Sequence, residues 1–201
     1  MMKWLATILA GLLLLACGGN VRTAEPARYD FGGLTGSGPG SNIPLAAVEV
    51  SAASWLSGAD MNFRLDYAEP LRRRSYAESR WAAPPGELLQ AFLKRRIASG
   101  PPASGTIGCR LRLVLDELEQ RFDDAQQSRV VLEVRATLSP PRGPESLSMR
   151  VFQISRQAGS ADARGGAAAA RVAAQALADD ISGWLGEVAR EKPATIDRCR
   201  I

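Results

Sequence analysis

The sequence contains no histidine. That absence removes Ser-His-Asp and Cys-His nucleophilic sites and every histidine-ligated zinc or iron centre. Lysine is nearly as scarce: beyond Lys3 only Lys94 and Lys192 occur, neither at the spacing of a nucleophile–base pair. The stretches GGL, GSGPG and ARGGAA lack the lysine and spacing of a phosphate loop. No tail of like charge is present either. The net charge is +4 with a pI of about 9.3, and arginines are interspersed with acids, so there is no electrostatic footprint for nucleic acid. Internal repeats are absent. The chemistry left is carboxylate or Ser-Lys work, or none. The chain is therefore expected not to be an enzyme and to need no metal or cofactor.

What is present begins at the amino terminus. Lys3 supplies a short charged region and Leu5 to Leu15 an apolar one, shorter than the ~20 residues that span a bilayer as a helix. These are the dimensions of a secretory signal. It ends Leu14-Leu15-Ala16-Cys17, which resembles the bacterial lipobox. That resemblance implies cleavage after Ala16, a diacylglyceryl thioether on Cys17, and a further fatty acyl chain, typically palmitate, on the new amino terminus. Two or three chains hold a protein stably on a membrane where one does not. Gly18 follows the cysteine in place of the aspartate that would resemble an inner-membrane retention signal. The expectation is an anchor on the periplasmic face of the outer membrane of a Gram-negative bacterium.

The mature chain reads as a lipidated tether over 17–44, glycine-rich from Gly32 to Gly40 and hence a flexible coil, followed by one folded domain over 45–201. Within the tether RYDFG alone has strand character. LAAVEV is a short strand. MNFRLDY alternates, with Met61, Phe63, Leu65 and Tyr67 on one face and Asn62, Arg64 and Asp66 on the other. AEP turns the chain, and LRRRSYA returns as the hairpin partner. PPGELLQAFLKRRIASG is a helix with Leu88, Leu89, Phe92, Leu93 and Ile97 on its buried stripe. Pro84 and Pro85 suit its first turn and Gly100-Pro101-Pro102 stops it. CRLRLVLDELEQRF, SRVVLEVRATLS and LSMRVFQISR are three strands joined by polar turns, an antiparallel meander. Residues 162–190 form an alanine-rich helix with Leu177, Ile181, Trp184, Leu185 and Val188 inward. Strands, helix, three-stranded meander, helix: the fold class is α+β, two layers, with two helices on a mostly antiparallel or mixed sheet.

The stretch RRSYAESRWAAPPGELLQAFL, taken with the lipobox, the YDFG-like segment, the middle meander and the closing alanine-rich helix, resembles the ABC-type transport auxiliary lipoproteins, a family that includes the paraquat-inducible lipoprotein. The resemblance covers essentially the whole chain. It implies a binding or scaffold component of a lipid transport system. The implied partners are an inner-membrane ABC permease and ATPase and a mammalian-cell-entry (MCE) substrate-binding protein. A structural or assembly lipoprotein of an envelope complex is the alternative, and homo-oligomerisation stays open.

Several residues carry specific expectations. With Cys17 lipidated, Cys109 and Cys199 remain as an even pair in an oxidising compartment, and a disulfide between them is expected. Arg72, Arg73 and Arg74 suit either an acidic partner or lipid headgroups. They suit equally an edge strand guarded by charge, and reversing all three is expected to leave stability nearly unchanged. Arg80 is expected to stack on an aromatic or pair with Glu78 or Glu87, with Trp81 beside it. Tyr76 and Trp81 read most simply as core aromatics where the hairpin meets the helix. Glu117 and Glu119 read as solvated surface.

Overall fold

The computed structural model describes residues 25–33, 43–97, 107–143 and 145–199. The signal segment, Cys17 and most of the glycine-rich stretch lie outside the described residues. Among those described, seven strands form one mixed sheet and two long helices cover one face of it. The strands are β1 (Ala27–Tyr29), β2 (Leu45–Ala52), β3 (Asp60–Leu65), β4 (Glu69–Trp81), β5 (Cys109–Phe122), β6 (Ser128–Ser139) and β7 (Ser148–Gln157). The helices are α1 (Pro85–Ile97), α2 (Ala163–Glu191) and the short α3 (Pro193–Arg198). The α+β expectation holds, and the β5–β6–β7 meander is antiparallel throughout.

β5 organises the sheet. Its first half pairs in parallel with β2 and its last residues in parallel with β3, so two strands share one of its edges end to end. The joint coincides with a register shift between Leu115 and Glu117, visible in the sequence as a change of phase. Leu111, Leu113 and Leu115 face the helices before it, and Leu118, Gln120 and Phe122 after it. An extra residue in one strand moves every later side chain to the other face. β6 answers with Val130, Leu132, Val134, Ala136 and Leu138, and β7 with Phe152 and Ile154. α2 packs on β6 and β7 through a stripe of small residues, Ala167, Ala170, Ala173 and Ala174, followed by Leu177, Ile181, Trp184 and Leu185. Small side chains let the helix axis approach the sheet closely.

α1 starts at Pro85, where a missing N–H costs nothing. It buries Leu89, Phe92, Leu93 and Ile97 and lies on β2, where Gln90 Oε1 accepts the Val50 N–H at 2.8 Å. α2 is capped by Asp162, whose carboxylate accepts the Gly165 N–H at 2.7 Å. Gly165 and Gly166 follow because of close approach. A Cβ on Gly165 would lie 2.7 Å from Ser160 N, and one on Gly166 would lie 2.8 Å from the Gln120 carboxamide carbon.

Cys109 and Cys199 form a disulfide, both fully buried, and the Gly108 N–H donates to Cys199 O at 2.8 Å. The bridge ties the segment after α2 to the start of the central strand. It closes a loop of 90 residues, a constraint worth roughly 4 kcal/mol in the chain-entropy account.

Three expectations need correction. First, the span 17–44, read as tether, contains β1, which pairs in parallel with Ser79–Trp81 of β4. It also contains Phe31, packed edge-on against Trp81 and Phe92 at ring centroid distances of 5.6 and 5.9 Å, and the buried Ile43. Second, β3 ends at Leu65, so Tyr67 sits in the turn and is 53% exposed, while Asn62, expected outward, is buried and accepts from Ser75 Oγ at 3.1 Å. Third, Glu119 is buried: its side chain is 2% exposed, and arginines from three strands cover it.

Candidate functional site

The sheet face turned away from the helices carries charge of both signs, and the charges satisfy one another. Arg64 Nε sits 2.8 Å from Glu119 Oε2. Arg73 makes a bidentate pair with Glu117 at 2.8 and 2.5 Å and lies 3.5 Å from Glu119. Arg121 and Arg129 share Asp66 at 3.0 and 3.2 Å. Arg135 clasps Asp116 through two bonds of 2.7 Å. Burial raises the Glu119 carboxyl above its ordinary range, the neighbouring Glu117 charge adds to this, and Arg64 and Arg73 oppose it. Guanidiniums form such planar paired contacts well, and their aliphatic stems shield the buried carboxylate.

This network decides the three consecutive arginines. Arg73 faces inward, hydrogen-bonded to Glu117, which raises its own basicity. Arg72 and Arg74 both pair with Glu69 at the exposed hairpin end. Against the expectation that all three could be reversed without loss of stability, these contacts predict a loss at Arg73. Arg80 pairs with Asp60 at 3.2 Å rather than with Glu78 or Glu87, and donates to the Ser79 carbonyl at 2.9 Å. Trp81 is buried in the core.

Beside these residues lies a feature no sequence pattern announced. An open cleft runs between the second half of β4, the β1 segment and the amino-terminal half of α2. One part, about 410 Å³, is lined by Tyr29, Tyr76, Glu78, Ser79, Asp162 and Arg164. The next, about 530 Å³, shares Tyr29 and Arg164 and continues past Gly32, Ala168, Arg171 and Val172. Arg164, Ala168, Arg171, Val172 and Gln175 recur at helical spacing, so one stripe of α2 makes a whole wall. The opposite wall is held by Arg171, which donates to Gly33 O at 3.2 Å. Gly32 turns there at φ +68°, and its N–H donates to Asp30 Oδ1 at 2.6 Å. Tyr76 marks the floor: its hydroxyl donates to Gln120 Oε1 at 3.0 Å, and burial, with the Asp162 charge second, pushes its pKa far up. The cleft offers apolar alanine and valine between guanidinium and phenol groups. Such a surface is suited to binding a chain or a partner segment.

Among the described residues, no helix is long and apolar enough to cross a membrane. No curated protein matches the chain. Among solved structures, a protein from Xanthomonas campestris is similar with a TM-score of 0.65 at 18% identity, over 83% of this chain and 99% of that one. An uncharacterised protein is similar with a TM-score of 0.54 at 16% identity, over 82% of this chain and 99% of that one. At these identities the likeness is one of fold. The family described as the ABC-type transport auxiliary lipoprotein component matches residues 45–182, which span the hairpin, α1, the meander and most of α2. The chain belongs to the ABC-type transport auxiliary lipoprotein family.

Proposed function

We propose that this protein is a periplasmic lipoprotein anchored through Cys17 in the outer membrane. It serves as a binding scaffold for an ABC transport system whose MCE-type partner passes lipid between the two membranes. The observation that carries the reading is the family match over residues 45–182. The lipobox Leu14-Leu15-Ala16-Cys17 supports the anchor, and Gly18 after it supports the outer membrane. The partner surface is the α2–β1 cleft together with Arg80 beside it. Arg164 and Arg171 there select an acidic or hydrogen-bond-accepting segment, while Ala168 and Val172 take its apolar side chain. Trp81 supports that surface from beneath, and Arg73 holds the sheet face together.

Two measurements test this. Mass spectrometry of the mature amino terminus should show acylated Cys17, and a free amine on any other residue contradicts the anchor. Deleting the gene, with parallel transport systems also removed, should alter envelope permeability and the lipid distribution between membranes. Unchanged permeability and lipid distribution would overturn the transport role and favour an assembly lipoprotein.

A further inference from the structure

We infer that the tip of the β3–β4 hairpin rests in the headgroup layer of the phospholipid leaflet that holds the anchor, with Leu71 and Tyr67 as the inserted side chains. Leu71 is 94% exposed, the highest value among the exposed large apolar residues of the described chain, and Tyr67 on the same turn is 53% exposed. The exposure of Leu71 is built into the strand pairing. Leu65 pairs with Glu69 and Phe63 with Arg74, so Pro70 to Arg73 leave the ladder; Arg64 holds the Pro70 carbonyl at 3.2 Å and Glu117 holds Arg73, which leaves Leu71 standing out between them. Leucine with tyrosine is the pairing that settles at a membrane–water interface, the phenol staying with the headgroups.

The path of the chain gives the bulge its occupant. β1 runs parallel to β4, with Ala27 beside Ser79 and Tyr29 beside Trp81. The residues that precede Ala27 therefore come from the side of the hairpin tip. Ten residue-to-residue steps lead from Cys17 to Ala27, which span at most ~35 Å. The rise of β3 from Asp60, paired with Arg80 beside β1, to Leu65 at the turn is ~17 Å. With the tip on the bilayer the chain reaches its anchor with slack. To set the opposite end of the sheet on the bilayer, the chain would have to reverse and pass ~26 Å of β5, from the level of Asp60 to Cys109. The other exposed apolar pair, Met149 and Val151, lies toward that opposite end, beside Thr137 and Arg135 of β6. Charges at the tip are mixed, Arg72 and Arg74 against Glu69 with Asp123 and Asp124 on the neighbouring turn. Insertion is thus driven by apolar burial and survives high salt.

This inference rests on the reading of Cys17 as the anchor, and the test separates the two. Purified mature lipoprotein carrying Leu71→Cys labelled with bimane is floated with phosphatidylethanolamine–phosphatidylglycerol vesicles containing a shallow spin-labelled phospholipid. The native cysteines are oxidised to each other and take no label. Met149→Cys serves as the far-end probe. The expected result is loss of most of the Leu71→Cys emission, at low and high salt alike, with Met149→Cys unaffected. If the protein floats but the Leu71→Cys probe stays bright, the inference falls and the anchor stands. Equal quenching of both probes also overturns it. So does a bright Leu71→Cys probe whose emission shifts with protein concentration, which makes a second copy the occupant. If the protein does not float, the anchor reading fails and the inference falls with it.

Discussion

Replacing Gly166 with alanine should destabilise the protein, although the same change in an exposed helix stabilises. The cause is Gln120. A Cβ at Gly166 enters the space of the Gln120 carboxamide, which is buried and held at both ends: the Tyr76 hydroxyl donates to it at 3.0 Å, and it donates to Ser128 Oγ at 2.7 Å. If the carboxamide yields, buried polar groups lose partners at about 1–3 kcal/mol each. If the helix yields instead, overpacking costs about 1–3 kcal/mol. Helix propensity returns about 1 kcal/mol. The cheaper of the two responses sets the cost, so the net expectation is a loss of about 1–2 kcal/mol, or a fall of roughly 2–8 °C in the unfolding midpoint for a chain of this size. Gly183 of the same helix has nothing within 4 Å of its Cβ position, and Gly183→Ala should stabilise by about 0.5–1 kcal/mol. Urea unfolding of both variants, with Gly166→Ala repeated in a Gln120→Ala background, measures the coupling directly. The account requires Gly166→Ala to become neutral or favourable once Gln120 is gone. A Gly166→Ala protein as stable as the parent, or equally harmed in both backgrounds, refutes the reasoning.

Three further outcomes follow from the structure. Arg73→Glu should cost about 3–5 kcal/mol by setting a third negative charge against Glu117 and Glu119, while exposed Arg72→Glu should stay within ~0.5 kcal/mol in the same thermal assay. Asp162→Ala should remove the α2 cap at a cost of about 1 kcal/mol. The Gly165 N–H, then Ser160, holds the Asp162 carboxyl below its usual range, so its contribution is present at neutral pH and disappears as pH falls through that lowered value; a parent-minus-variant difference that does not shrink in acid contradicts this. Finally, thiol counting under denaturing, non-reducing conditions should find no free thiol from Cys109 or Cys199, and replacing both with alanine should lower the unfolding midpoint.

The layers of this fold were legible because their signals are periodic. Leu111, Leu113 and Leu115 alternate, Leu89, Phe92, Leu93 and Ile97 recur at helical spacing, and each pattern admits one way to bury itself. The bulge after Leu115 was equally written, as a change of phase from odd to even positions, yet a reading that assumes unbroken alternation passes over it. Glu119 looked solvated for another reason: its burial depends on Arg64 and Arg73 from strands 55 and 46 residues away in sequence, and no local pattern reports such a meeting. β1 showed as strand character in RYDFG, but its place in the sheet was hidden for a similar reason. Three residues in a glycine-rich surrounding carry little propensity, and their place is fixed by parallel pairing to β4 and by Phe31 reaching Trp81. The cleft beside α2 has no sequence signature of its own, because it is the space left where alanines let the helix approach the sheet while β1 stands off from it. Gly165 and Gly166 could have flagged the close approach of α2 to the sheet, since paired glycines early in a helix that bind no phosphate mark close packing.

The central claim, that the protein works by holding a transport complex rather than by catalysis, is tested most directly by affinity purification of the acylated protein from solubilised native envelopes, with quantitative proteomics of what accompanies it. The account predicts enrichment of an ABC permease, its ATPase and an MCE-domain protein, lost in an Arg164→Glu/Val172→Asp variant whose unfolding midpoint is unchanged. Acylated, folded protein that enriches none of these components would contradict it.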